Sequence, residues 1–252
     1  MAIVTLLTDF GTADPYVAEM RGVLYSLAPG VTVVDASHSI PPGDVRLAAY
    51  VLERAWHRFP PGTVHLVVVD PGVGTGRAAL ALSAGGHRFV GPDNGVFSAV
   101  LDQLEGPPVV LPVPAGASPT FHGRDLFAPA AAALAAGAEL GALGTPLLTA
   151  PVRLELPRPR YEGKTVVGEV IAVDRFGNLV TNLTPAEAPS YAVLEAEDLE
   201  IGPIRRTFSD VAPGQFVAYV GSGGNIEVAV RDGSAARQLG LGLGGRVRAR
   251  LG

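Results

Sequence analysis

The chain reads as α/β: an N-terminal doubly wound, mostly parallel sheet domain, followed by a smaller antiparallel β domain. Three observations predict it. Residues 1–150 alternate apolar runs with amphipathic helical patterns, as βα repeats do. Val67, Val68 and Val69 form an apolar run with no helical period, as in a strand covered on both faces. Beyond the proline-rich segment LELPRPRYEGKT, helical signals nearly vanish and strand patterning around tight turns takes over. The expected domains are therefore residues 1–157 and residues 164–252.

In order, IVTLLTDF is a first strand, and Asp14-Pro15 then reads as a helix N-cap with proline at the first helical position. Val17, Met20, Leu24 and Leu27 continue that helix at helical spacing. VTVVDAS is a second strand, residues 44–58 a second amphipathic helix, and VHLVVVD a third strand ended by Pro71. LALSAGGHRFVG reads as a hairpin around Gly85-Gly86. NGVFSAVLDQL is expected to be helical, PVVLPV a strand, and the alanine-rich run 128–137 a helix. In the second domain, strands flank a DRFGN turn and a second turn at Ser222-Gly223-Gly224-Asn225, with one short helix near SAARQL.

Composition narrows the function. A formal net charge of −5 without a basic run does not indicate a nucleic-acid or anionic-membrane surface. The absence of cysteine excludes disulfides, thiolate metal sites and cysteine nucleophiles. Lys164 is the only lysine, which argues against a Schiff base or a P-loop. The N-terminal segment lacks the features of a signal peptide and no apolar run approaches a membrane span, so a cytoplasmic location is expected.

The candidate chemistry centres on VVVDPGVGTGR. Asp70 falls at the carboxyl end of a central strand, where open α/β sheets place their ligands, with Arg77 seven residues on. Gly72, Gly74 and Gly76 give G-x-G-x-G with no following helix, so the loop is not a phosphate cradle; glycine there is expected to admit a ligand close to the backbone. Asp9 ends the first strand and can share that sheet edge with Asp70; taken alone it is a turn carboxylate. His122, in TFHGRDLFAPAAA, taken alone is a packed or surface histidine, beside Gly123 and Asp125, which suit a tight loop and a helix cap. Asp14 suits an N-cap, Asp174 and Asn178 suit a β-turn, and Ser222 suits its own turn. His38, His57, His65, His87 and His122 show no metal-ligand spacing, and no G-x-S-x-G elbow marks a serine triad.

Together the motifs TDFGTADPYVAEMRG, VVDASHSIPPGD, VVVDPGVGTGR, GPDNGVFS, TFHGRDLFAPAAA, VDRFGNLVTN and GSGGNIEVAVRDGSA, in order across nearly the whole chain, resemble one family. They look like the S-adenosyl-L-methionine hydroxide adenosyltransferases, relatives of the fluorinase and chlorinase. The resemblance implies hydrolysis of S-adenosylmethionine to adenosine and L-methionine, with no metal and no cofactor. It also implies a homotrimer with each active site between the N-terminal domain of one subunit and the C-terminal domain of the next. The hydrolases' Asp-Arg-His set falls on Asp70, Arg77 and His122. Halogenases carry a tyrosine where this chain has Asp70 and a serine where it has Gly123, and the fluorinase's long insertion is replaced here by the short hairpin 78–90.

The same resemblance puts Asp9 on the ribose hydroxyls, Asn178 on the adenine edge, and Ser222 on the methionine carboxylate. It sets Asp14 and Asp174 near the methionine ammonium, Phe208 and the backbone of Val230 against adenine, and Glu227 facing the ligand. Where halogenases follow the serine with an arginine on the substrate carboxylate, this chain has Gly223. An in-line displacement at ribose C5′ releases a neutral thioether, so the demand falls on the nucleophile: Asp70, Arg77 and His122 are three candidates to hold a water, stabilise developing hydroxide or pass on a proton. Competing readings are a chloride-using halogenase, against which a carboxylate beside the halide argues; a non-catalytic sensor of S-adenosylmethionine or adenosine; and a nucleoside hydrolase releasing free adenine.

Overall fold

A computed structural model describes residues 2–252, which form two compact units, 2–154 and 155–252. The first is a mixed α/β unit built on one seven-stranded sheet. Its strands are β1 (Ile3–Thr8), β2 (Thr32–Ser37), β3 (Val64–Val68), β4 (Ala79–Ala84), β5 (His87–Pro92), β6 (Val109–Val110) and β7 (Thr145–Pro146). They lie in the order β2-β1-β3-β5-β4-β6-β7. The pairings among β2, β1, β3 and β5 are parallel; those from β5 through β4 and β6 to β7 are antiparallel. The sheet is thus mixed rather than mostly parallel, because the hairpin at Gly85 and Gly86, both at positive φ, turns the chain straight back instead of crossing over.

The valine run behaves as a strand covered on both faces. Leu66 and Val68 pack with Met20, Leu24 and Phe127, whereas Val67 and Val69 pack with Leu52, Trp56 and Phe89. Each such side chain contributes about 1.5–3 kcal/mol when fully buried. The helices are α1 (Tyr16–Leu27), α2 (Val45–Ala55) and α3 (Ala128–Ala135). Asp44 caps α2, its Oδ1 accepting the Leu47 amide at 2.9 Å.

Three local expectations change. Asp14 does not cap α1: Pro15 occupies the cap position, its carbonyl accepts the Glu19 amide at 2.9 Å, and Asp14 is left exposed. NGVFSAVLDQL forms turns and one 3₁₀ turn at Leu101–Gln103 instead of a helix. Its side chains compete for the backbone: Asn94 donates to the Val69 carbonyl and accepts the Val96 amide, and the Ser98 hydroxyl donates to the Gly95 carbonyl. PVVLPV pairs only over β6, since prolines flank the usable amides.

The second unit contains a closed seven-stranded barrel. Its strands are β9 (Thr165–Val173), β10 (Leu179–Thr181), β11 (Val193–Ala196), β12 (Leu199–Arg205), β13 (Phe216–Val220), β14 (Ile226–Val230) and β15 (Arg246–Arg250). The β9–β10 hairpin closes the ring, and β8 (Arg160–Glu162), from the segment read as a linker, adds to β9. One pairing, β12 with β13, is parallel, so the unit is not purely antiparallel. The helix α4 (Ala235–Leu239) is capped by Ser234, whose hydroxyl accepts the Arg237 amide at 3.2 Å. No helix among the described residues is long and apolar enough to cross a membrane.

Candidate active site

Parallel pairing sets the first part of the site. Thr8 of β1 lies beside Val68 of β3, so the chain delivers Asp9 and Asp70 to the same carboxyl edge of the sheet. Asp9 accepts the Gly43 amide at 2.7 Å. Asp70 is buried, its side chain 5% exposed, and is gripped by Arg77. Arg77 Nε donates to both Asp70 oxygens at 3.0 Å, and Nη2 donates to Oδ2. This is a fork in which one edge of the guanidinium, Nε and Nη2, holds both oxygens of one carboxylate.

Of the glycines between the two, Gly74 has a reason other than ligand approach. A Cβ on Gly74, which sits at φ +75°, would meet the Pro119 carbonyl oxygen at 2.6 Å. The loop needs glycine there to pack on the segment that carries His122.

His122 completes the set. It is 5% exposed and directly precedes a π-helical turn, Gly123–Phe127, that runs into α3. Such turns gather at functional sites because they displace a side chain from helical register. Arg124 anchors the turn: it donates to both oxygens of Asp125 and to Glu19 of α1, and stacks over Phe121 at 5.0 Å. Asp125 is therefore an anchor rather than a helix cap.

Arg77 Nη2 lies 3.0 Å from His122 Nδ1. A guanidinium only donates, so Nδ1 accepts and the neutral ring carries its proton on Nε2. Burial, and then the Arg77 charge, push the His122 pKa below the usual histidine value, against smaller opposing effects of Asp70 and Asp125. Arg77 also lies 5.2 Å from the Phe127 ring centroid, which backs the guanidinium on its other side.

Asp70, His122 and Asp9 line one cavity of about 530 Å³. Phe10, Tyr16 and Phe121 line it too, their ring centroids 5.2–5.9 Å apart. Arg77 and Asp14 are not among the lining residues. Arg77 stands behind Asp70 and His122. The three aromatic residues sit inside sequence motifs but gave no periodic signal as cavity walls.

In the second unit, the remaining candidates gather around β10, β13 and β14. Asp174 Oδ1 accepts the amides of Phe176 and Asn178, and its Oδ2 accepts the Asn178 side-chain amide at 2.7 Å. Leu179 lies opposite Val228, which sets Asn178 close to the Val230 end of β14. The Phe208 ring packs 4.7 Å from Tyr219, and Tyr219 donates to Glu227 Oε2 at 2.6 Å. A Cβ on Gly221 would strike the Glu227 carboxylate, so glycine there lets that side chain lie beneath the turn bearing Ser222, which is exposed.

Tyr219 was not foreseen. It reads as one more buried position in an alternating strand, and only the pairing of β13 with β14, Tyr219 opposite Glu227, shows its partner. Burial first, and then the hydrogen bond to Glu227, push its pKa up. Among the described residues, no group of three His, Asp or Glu side chains is placed to hold a metal ion.

A two-unit α/β and β-barrel protein, with a clamped carboxylate beside a neutral histidine in a cavity at a sheet edge, has the features of a small-molecule enzyme. The family model for the SAM hydroxide adenosyltransferase N-terminal domain matches residues 4–144, and that for the C-terminal domain matches residues 168–248. The chain belongs to this family.

An (R)-S-adenosyl-L-methionine hydrolase of Thermus thermophilus is 46% identical over 98% of this chain and 99% of its own. One of Salinispora tropica is 43% identical over 99% and 98%. A fluorinase of an Actinoplanes species is more distant, 29% identical over 90% of each chain. The crystal structure of a conserved protein from Thermotoga maritima superposes with a TM-score of 0.90 at 34% identity, covering 98% of this chain and 99% of its own.

Proposed function

We propose that the protein hydrolyses S-adenosyl-L-methionine to adenosine and L-methionine by attack of water on ribose C5′. The observation that carries this reading is the Asp70–Arg77–His122 arrangement, with Asp70 and His122 on the cavity wall and Arg77 behind them. The (R)-S-adenosyl-L-methionine hydrolases among its relatives support it.

The hydrogen bonds support one division of roles. Arg77 only donates, and His122 spends Nδ1 on Arg77, so Asp70 is the one member of the three free to accept a hydrogen bond from the attacking water. His122 offers its Nε2–H to that water's oxygen. As the O–C5′ bond forms, the C5′–S bond breaks and its electron pair passes to sulfur, leaving the neutral thioether of methionine. The oxygen then carries excess positive charge, becomes strongly acidic, and loses its proton to Asp70.

The proton leaves late, once the oxygen is bonded to carbon and has become acidic, so free hydroxide is not required. The leaving group needs no general acid, metal or cofactor. Arg77 is a positioning residue that fixes the Asp70 carboxylate and the His122 tautomer.

In this reading residues 1–157 supply the catalytic groups together with Asp9 and Asp14, and residues 164–252 complete the nucleoside site. Asp9 binds the ribose hydroxyls, Asn178 and the Val230 backbone the adenine edge, and Phe208 packs on the base. Ser222 holds the methionine carboxylate, Asp14 and Asp174 the ammonium, and Glu227 the ligand side of the barrel. The protein acts in the cytoplasm as a homotrimer with sites between subunits. Chromatography of the purified protein's products from S-adenosylmethionine in chloride buffer tests the reaction: adenosine and methionine in equal amounts are expected. A 5′-chlorinated nucleoside, free adenine, or unchanged substrate overturns it.

A further inference from the structure

The barrel carries a second cavity, of about 360 Å³, that the proposed reaction does not use. Its walls include Arg158, Arg160 and Arg246, with Glu169 as the single carboxylate. None of these arginines has an ion pair or a side-chain hydrogen bond among the described residues. The contrast lies on the same strand: Arg250 is held by Glu195 and Glu200, each at 2.6 Å. In a chain of net charge −5, three unpaired guanidiniums lining one hollow against a single carboxylate leave a net positive field.

The hollow is built by the fold. Strand register puts Arg160 opposite Val167, and Glu169 opposite Arg246, across β8, β9 and β15. Asn182 then clamps the entering chain: its Oδ1 accepts the Glu169 amide at 2.8 Å and its Nδ2 donates to the Pro157 carbonyl at 2.9 Å. This holds Arg158, the next residue, at the rim. Gly168 is needed for the clamp, since a Cβ there would meet Asn182 Oδ1 at 2.6 Å and Leu183 Cγ at 2.5 Å. Asp174, just past the end of β9, lies five residues beyond Glu169, roughly 16 Å at strand rise. The cavity is therefore separate from the cluster around Asp174 and Asn178.

We propose that this cavity binds a small polyanion bearing phosphate groups. Guanidinium forks match phosphoryl oxygens in pairs. The volume falls within the range of small-molecule sites, about 300–1,000 Å³. No aromatic ring lines it, so it offers no platform for a nucleobase; the ligand is an inorganic oligophosphate or a compact phosphate ester.

Calorimetric titration of the full chain with pyrophosphate, and separately with glucose 6-phosphate, at constant ionic strength tests the site and distinguishes the two sources. Saturable binding of either at millimolar affinity or tighter is expected, weakened about tenfold or more in Arg160→Gln/Arg246→Gln. It is expected to be unchanged in Arg250→Gln. Thermal melting followed by circular dichroism checks the fold of the double variant, and Arg246→Gln alone replaces it if needed. No saturable heat for either ligand, or equal affinity in wild type and variant, overturns the proposal. So does a change of sedimentation coefficient in the variant, which would make the arginines a contact between copies of the chain.

Discussion

His122 receives a hydrogen bond from Arg77, and that contact decides how the candidate site handles protons. With its pKa below the usual histidine value, the ring is neutral near pH 7 and donates only through Nε2. Acid reverses this: protonation removes the Nδ1 acceptor and sets an imidazolium against a guanidinium. The kcat/KM profile is therefore expected to be flat from neutral to alkaline pH and to fall on the acid side, with a midpoint below the ordinary histidine value of about 6.5. A rate rising in proportion to hydroxide would instead make hydroxide the nucleophile and remove Asp70 from its role. Replacing Asp70 with Asn keeps the shape but not the proton-accepting carboxylate, so kcat should fall by about 10²–10⁴ with substrate affinity, read by calorimetry, nearly unchanged. Asp70 and Arg77 were legible as a pair because they share one loop. Their link to His122 followed only from the family resemblance and not from local pattern, since it depends on the π turn beside Arg124 and on Gly74 packing against Pro119.

At the scale of elements, the parallel strands that carry Asp9 and Asp70 tolerate little change behind the site. Gly91 of β5 is pressed onto β3: an added Cβ would lie 2.3 Å from the Val67 carbonyl oxygen and 2.9 Å from Phe97. Gly91→Ala is expected to destabilise by about 1–3 kcal/mol in urea titration, because backbone must move to admit it. The same strands hold a buried chain, Thr5–His65–His87, in which His65 Nδ1 lies 2.8 Å from the Thr5 hydroxyl and His65 Nε2 lies 3.1 Å from His87 Nδ1.

Burial first, and then the charge His87 would carry, push the His65 pKa down to about 3. Its folded value lies below its unfolded value, so the unfolded chain binds more protons. Stability is complete above pH 6.5 and is lost as pH falls towards 3. Between pH 6.5 and 4.5 the folded state should lose on the order of 2–3 kcal/mol through this residue. In His65→Gln, urea titrations at the two pH values should show a correspondingly smaller difference. The histidines were visible in sequence only as residues without metal spacing; that two of them meet requires the parallel register of β3 and β5.

For the whole molecule, the proposed trimer makes a prediction that neither unit makes alone. If each site joins the first unit of one subunit to the second unit of another, Asp70→Asn and an inactive Asn178→Ala variant should complement each other. Mixing them under conditions of subunit exchange should restore activity to about a quarter of the sites, since each half is intact in half of the subunits. Sedimentation should give a trimer, and activity that stays at the level of the separate variants would place both halves of the site in one subunit.

The sequence by itself determined the alternation of strands and helices, the hairpin at Gly85-Gly86, the DRFGN turn and the place of Asp70 just past the end of β3. Each follows from local pattern and from what glycine and proline permit. Tertiary structure alone decided the mixed sheet, the pairing of β15 with β9 within the barrel, the partnership of Tyr219 with Glu227, and the proton on His122 Nε2. Those depend on which distant strands pair, and pairing is settled by burial over the whole chain rather than by any one segment of it.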